Sequence, residues 1–194
     1  MTLQLLEART RAPRPWKNGG GMTWEIAASP AGADMASFDW RVSLAVVEAA
    51  GPFSTFAGVD RVMLVLDGEL ELAVAGAQRL ILDETSADVE FPGDAEVFAS
   101  EPAGPVADIN VMVRRGRYTG VIERRGVTGQ AAVICQDVTF VLARAGGLVA
   151  ALGAERLELG PGDALRVDGA RGALLRLRPA VPDEIVIAHV NAVR

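Results

Sequence analysis

The chain has 194 residues, half of them hydrophobic, and a formal charge of −6 at neutral pH. That is enough apolar material for one sizeable domain or two small fused ones, and it excludes a disordered chain. The acidic balance argues against nucleic-acid binding, which needs a basic face to displace counterions from phosphates. Cys135 is the one cysteine, so no internal disulfide can form, and no apolar run approaches the roughly 18 residues that span a bilayer. Met1 to Arg14 holds no apolar core of signal-peptide length, so a cytoplasmic location without a membrane partner is expected.

Short runs rich in Val, Leu and Ile recur between Gly, Pro and Asp, the pattern of a sandwich or barrel. In chain order the predicted strands are 23–27, 40–47, 62–66, 69–74, 108–114, 139–143, 147–152, 164–167 and 174–178. Leu66-Asp67-Gly68-Glu69 reads as a hairpin, because Asp-Gly tolerates the positive φ of a tight turn. Between Arg114 and Arg125 lie five arginines (Arg114, Arg115, Arg117, Arg124 and Arg125) with no aromatic series to stack bases. The segment reads as a solvated connector between two halves. Pro92-Gly93-Asp94 and Pro161-Gly162-Asp163 each follow a glycine-centred hairpin and precede a strand. Proline fixes φ at the first central position, and glycine allows the positive φ of a type II turn at the second. A hairpin, a Pro-Gly-Asp turn and a strand written twice predict an internal duplication, 1–118 and 119–194, with the second copy serving mainly as packing.

Four segments of the first half carry polar residues that folding alone does not require. They are Pro15–Ala27, with Lys17-Asn18-Gly19-Gly20-Gly21, then Phe38–Ala45, Gly51–Arg61 and Asp108–Arg115. Alternate side chains of a strand share a face. Thr23 and Glu25 therefore point one way, opposite Trp24 and Ile26. Arg41 and Ser43 share a face, as do Asp108, Asn110 and Met112. These polar faces meet either solvent or a barrel mouth. Short, geometrically demanding Thr, Ser, Asn and Asp beside one Arg favour the pocket. Arg41 is the preferred anion contact because its planar fork can grip a carboxylate; the alternative is an ion pair with Glu25 or Asp108, and both can hold. Three glycines after Lys17 and Asn18 suit a lid over the barrel mouth. Asp60-Arg61 reads first as a local structural pair and second as pocket rim, and Trp16, Trp24 and Trp40 read as core anchors. No catalytic constellation is predicted, since no His stands beside a Ser or Cys.

The doubled layout resembles the cupin superfamily, whose metal-binding members carry a His-x-His and Glu group in one motif and another His in the second. Here neither Ser54 to Leu66 nor the segment after Asp94 contains histidine, and the only one is His189. A stable transition-metal site needs three or four converging ligands, so no metal and no cofactor is expected. The four polar segments together resemble the HutD/Ves family. Its members show Pro-Trp-Lys-Asn-Gly-Gly-Gly, Trp-Arg-x-Ser, Gly-Pro-Phe-Ser…Gly-x-Asp-Arg and Asp-x-Asn-x-Met-x-Arg. The match covers roughly the first 115 residues, with Ala57 standing where proline is common in the family. The resemblance implies an all-β bicupin of two fused small cupin-like barrels with no metal site. It also implies a small-molecule binder that limits histidine utilisation, although Ves-type relatives suggest a looser stress-related role. The pathway points to a small carboxylate of the urocanate or formylated glutamate type as ligand, with a homodimer left open. The alternative function is a metal-independent isomerase or hydrolase using Glu25 or Asp108 as base. The expected ligand-binding residues are Lys17, Asn18, Thr23, Glu25, Arg41, Ser43, Asp108 and Asn110.

Overall fold

Alternating β-branched and aliphatic residues hold nearly every segment extended. The structure, a computed structural model, describes residues 1–76 and 79–194. Among the described residues its regular elements are strands and one 3₁₀ turn, Ala8–Thr10. In chain order the strands begin with β1 (Thr2–Leu6), β2 (Pro13–Pro15), β3 (Gly21–Ser29), β4 (Trp40–Val47), β5 (Gly51–Pro52) and β6 (Val59–Asp67). Next come β7 (Leu70–Val74), β8 (Leu80–Leu82), β9 (Val89–Pro92), β10 (Val97–Ala99), β11 (Val106–Arg114) and β12 (Tyr118–Val127). The chain ends with β13 (Ala131–Ile134), β14 (Val138–Ala143), β15 (Leu148–Leu152), β16 (Glu155–Leu159), β17 (Ala164–Asp168), β18 (Leu174–Pro179) and β19 (Asp183–Ala192). No helix of the described residues is long and apolar enough to cross a membrane.

The chain divides into two compact units, one of Ala12–Gly120 with Val193, the other of Met1–Arg11, Val121–Ala192 and Arg194. The expected 1–118 division needs correction at its start. β1 lies antiparallel along β17, from Thr2 opposite Asp168 to Leu6 opposite Ala164, so the first eleven residues belong with the C-terminal unit.

In the first unit a six-stranded sheet, β2-β3-β4-β11-β6-β9, shares a core with a four-stranded sheet, β5-β10-β7-β8. Val47, Met63, Val65 and Val106 from the larger sheet pack with Leu70, Leu72, Val74 and Val97 from the smaller. The second unit pairs β1-β17-β14-β19-β12 with β13-β18-β15-β16 over a core that includes Val141, Leu148, Leu165, Leu175 and Ile187. Neither pair of sheets closes into the expected barrel. Prolines occupy the edge strands β2 (Pro13, Pro15) and β5 (Pro52), where the missing N–H would interrupt a continuing ladder.

Strand order β4-β11-β6-β9 recurs as β12-β19-β14-β17, and β5-β10-β7-β8 recurs as β13-β18-β15-β16. The two Pro-Gly-Asp turns, however, occupy different corners of this shared order. The first joins β9 to β10; the second joins β16 to β17, whose counterpart is the connection before β9. Their geometry differs as well. Gly162 has φ +76 and the Asp163 N–H donates to Gly160 O at 3.1 Å, as a type II turn requires. Gly93 needs no positive φ: a Cβ there would lie 3.0 Å from Val59 O and 3.1 Å from Phe56 O. Identical tripeptides thus use glycine for conformation in one place and for close approach in the other.

The arginine-rich segment does connect the two units, whose boundary falls between Gly120 and Val121, but it does so as ordered strand rather than as a loose solvated loop. It runs into the ten-residue strand β12, which buries Ile122 and Val127, and its arginines are engaged. Arg114 donates to Ala36 O and Phe38 O, Arg115 pairs with Asp60 at 2.7 Å and Asp94 at 2.9 Å, and Arg117 pairs with Asp39 at 2.7 Å. Arg124 lies 3.2 Å from Glu184, and Arg125 pairs with Glu123.

Candidate ligand-binding site

The inner face of the six-stranded sheet changes character along its length. At one end Val47 and Val106 pair within the apolar core. Moving along β4 and β11, the next inward rows hold Ala45 with Asp108, Ser43 with Asn110, and Arg41 with Met112. β3 adds Thr23 opposite Ala45 and Glu25 opposite Ser43, and β6 adds Arg61 opposite Met112. A bulge after Glu25 shifts the β3 register by one residue. A cavity of about 690 Å³ opens over the polar end. That volume suits a small organic molecule rather than a single ion.

Six of the expected residues line this cavity: Lys17, Asn18, Thr23, Arg41, Ser43 and Asn110. Lys17 and Asn18 are exposed at the tip between β2 and β3. The glycines that follow build this tip in different ways: Gly19 takes a positive φ of 72° with open space around it, whereas a Cβ on Gly21 would fall 2.3 Å from Val46 O and 3.1 Å from the Trp16 ring. The Thr23 hydroxyl accepts a hydrogen bond from Trp16 Nε1 at 2.7 Å, which pins the indole at the cavity wall. Trp16 is therefore a wall residue as well as a packing group against Phe53, at 5.9 Å between ring centroids.

Glu25 and Asp108 do not line the cavity. Glu25 accepts from Arg41 Nε at 2.9 Å, so the ion pair left open by the sequence is made. Asp108, only 1 % exposed, accepts from Asn110 Nδ2. Asn110 in turn accepts from Arg61 Nη2 at 2.7 Å.

Arg61 departs from its first reading, a local pair with Asp60, and is closer to its second, pocket rim, since it lines the cavity. It is not paired with Asp60, which faces outward to Arg115. Adjacent residues of a strand point to opposite faces, so Asp60 and Arg61 cannot form a local pair on β6, and that alternation was available from the sequence. Arg61 is 8 % exposed, lines the cavity, and sits with its guanidinium carbon 5.1 Å from the ring centroids of both Phe53 and Phe91. Among the described residues its buried Nε has no hydrogen-bond partner. Phe53, Phe56, Met35 and Met112 complete an apolar side of the cavity.

Burial shifts two of these groups. It pushes the Asp108 carboxyl up to about 7, against the opposing pull of Arg61 and of the Asn110 hydrogen bond. It pushes the Arg61 guanidinium down to about 10, with Asp108 opposing and the nearby Arg41 charge reinforcing the shift. Arg41 and Arg61 are thus two buried cations close enough to repel at one cavity, an arrangement suited to an anion. Among the described residues no group of three or more His, Cys, Asp or Glu is placed to hold a metal ion. His189, in the other unit, lies 3.1 Å through Nδ1 from the Thr139 hydroxyl.

Fold and site together define an all-β protein of two topologically matched units, one carrying an arginine-lined cavity. Its more distant structural neighbours are cupin-like. YlbA from E. coli, for example, superposes with a TM-score of 0.69 at 11 % identity, over 96 % of this chain and 90 % of that one, a likeness of fold alone. The chain belongs to the HutD family, whose model matches residues 8–182, a family linked to the histidine-utilisation locus. It is 33 % identical over 174 residues to an uncharacterized 21.2 kDa protein in the hutC 3′ region of Pseudomonas putida, covering 86 % of this chain and 87 % of that one. It is 36 % identical over 137 residues to protein Ves of Cronobacter sakazakii, covering 69 % and 67 % respectively. The structure of HutD from Pseudomonas fluorescens SBW25, determined in a formate condition, superposes over the full length of both chains with a TM-score of 0.80 at 27 % identity.

Proposed function

We propose that this protein is a cytoplasmic, non-catalytic bicupin that binds a small carboxylate and regulates histidine utilisation through it. The observation that carries the reading is the pair of buried arginines, Arg41 and Arg61, converging on one cavity beside an apolar wall. Among the described residues Arg61 has a neutral amide as its direct hydrogen-bond partner, through Nη2, and an unpartnered Nε. A ligand carboxylate would give Arg61 the directly bonded counter-charge that Asp108, reached only through Asn110, does not supply. Arg41, oriented by Glu25, offers a second contact. The wall of Trp16, Phe53, Phe56 and Met112 would hold the body of the ligand, and Lys17 and Asn18 would stand at the mouth. Urocanate and formylated glutamate, carboxylates of the pathway to which the family is linked, are the first ligands to test. The raised pKa of Asp108 is the one feature favouring a metal-independent enzyme, but Asp108 does not line the cavity where a substrate would sit.

Calorimetry with these carboxylates tests the reading. Arg41→Ala should weaken binding by about 2 kcal/mol, the scale of a lost charge-assisted hydrogen bond. Arg41→Lys should recover only part, because an ammonium keeps the charge without the fork. Unchanged affinity in a folded Arg41→Ala protein would remove Arg41 from the site. Turnover of either compound in the presence of EDTA would replace the binder by the enzyme.

A further inference from the structure

Asp108, Asn110 and Arg61 form one buried hydrogen-bonded chain, with Asn110 donating to the carboxylate and accepting from the guanidinium at 2.7 Å. Only the last two members reach the cavity; Asp108 stays behind them. On the inner face of the sheet, apart from the exposed Arg14 and Lys17 at the mouth, the charges number two of each sign: Arg41 paired with Glu25 at 2.9 Å, and Arg61 connected through Asn110 to Asp108. With Asp108 ionised these charges balance, and an arriving carboxylate brings an uncompensated negative charge into a site of low dielectric. With Asp108 protonated, Arg61 lacks a counter-ion and the carboxylate becomes it.

We propose that a carboxylate enters this cavity together with one proton, which comes to rest on Asp108, so that ligand and proton are taken up as a pair and Asp108 sets the pH response. The proposal rests on the carboxylate reading above and adds its regulation. The surroundings of Asp108 support it. Ala45 on β4 and Val65 on β6 stand directly across, and the opposing small sheet supplies apolar Leu70, Leu72 and Val97 to the core. The charged groups on the same inner face are Arg41 on β4, Arg61 on β6 and Glu25 on β3, with Lys17 and Arg14 at the cavity. Burial also lifts the Asp108 carboxyl to about 7, where proton exchange at neutral pH is easy.

The test is an NMR titration with ¹³C-formate from about pH 6 to about pH 8.5, a range in which a free carboxylic acid near 4 stays ionised. The expected dissociation constant is level at the acid end and rises toward about tenfold per pH unit above 7, by proton linkage. Asp108→Asn should bind formate with no slope, at the wild type's acid-end affinity, whereas Glu25→Gln should keep the slope. Calorimetry of wild-type protein at about pH 8, in two buffers of different ionisation enthalpy, should count close to one proton taken up per formate. Level wild-type affinity, a slope surviving in Asp108→Asn, or zero proton uptake overturns the proposal and leaves the carboxylate site standing. The proton count decides if Asp108→Asn does not fold. Absence of formate binding at every pH overturns both readings.

Discussion

Asn110 shows how much one side chain can carry. Its amide is used in opposite senses, nitrogen donating to Asp108 and oxygen accepting from Arg61, so it joins an acid to a base through its own two ends. Asn110→Leu keeps the approximate volume and removes both contacts, leaving a buried carboxyl and a buried guanidinium without the partner between them. The expected loss of stability is about 3 kcal/mol, read from the urea midpoint, because each orphaned buried group costs on the order of 1–3 kcal/mol. A loss below about 1 kcal/mol would mean that water or a shifted Arg61 replaces the amide. The sharing of one face by Asp108, Asn110 and Met112 was legible from alternation alone. Arg61 was ranked too low, as pocket rim only second, because Asp60-Arg61 invites an ion-pair reading that the same alternation forbids.

At the level of elements, length alone does not decide which strands the sequence reveals, since the two ten-residue strands, β12 and β19, were not among those expected. Trp40–Val47 is legible from sequence with both ends placed, since eight residues of apolar and β-branched character leave no competing helical period. Two- and three-residue strands such as β2, β5, β8 and β10 are held by their partners rather than by local preference, so sequence carries no sufficient signal for them. β12 was hidden differently, by arginines and glycine that read as a linker until ion pairs with Glu184 and Glu123 are seen. β19 had the composition of a strand, Ile185-Val186-Ile187-Ala188, and nothing physical concealed it. The two Pro-Gly-Asp turns give a test at this scale. Asn occupies the left-handed region far more readily than Ala. Gly162→Asn should therefore unfold at a higher temperature than Gly162→Ala, whereas Gly93→Asn should be no better than Gly93→Ala, because any Cβ there meets two backbone carbonyls. Equal rescue by Asn at both positions would refute the assignment of different roles.

Over the whole molecule, one strand order is used twice with interiors of different chemistry. The Ala12–Gly120 unit buries Arg41, Ser43, Arg61, Asp108 and Asn110, while the other buries only Thr139 and Asp183 among polar side chains of the described residues. The polar interior has a cost that varies with pH. Asp108 ionises near 7 in the folded protein, against an ordinary value near 4 in the unfolded chain. Between those values the folded state keeps a proton that the unfolded state has lost, so this group's contribution makes stability fall as pH rises from about 4 to about 7 and leaves it level above. His189 acts in the opposite direction: burial lowers its pKa, so its contribution is lost as pH falls below about 6.5. Comparison with Asp108→Asn cancels His189 and every other titrating group. All three tryptophans, Trp16, Trp24 and Trp40, belong to the Ala12–Gly120 unit, so their fluorescence in urea follows the unit that holds Asp108. The midpoint of Asp108→Asn, taken relative to wild type, should climb steadily from about pH 5 to about pH 7 and stop climbing by about pH 8. A difference that stays constant over that range would mean that Asp108 ionises at its ordinary value, and that the carboxylates of this site are charge-balanced without a proton.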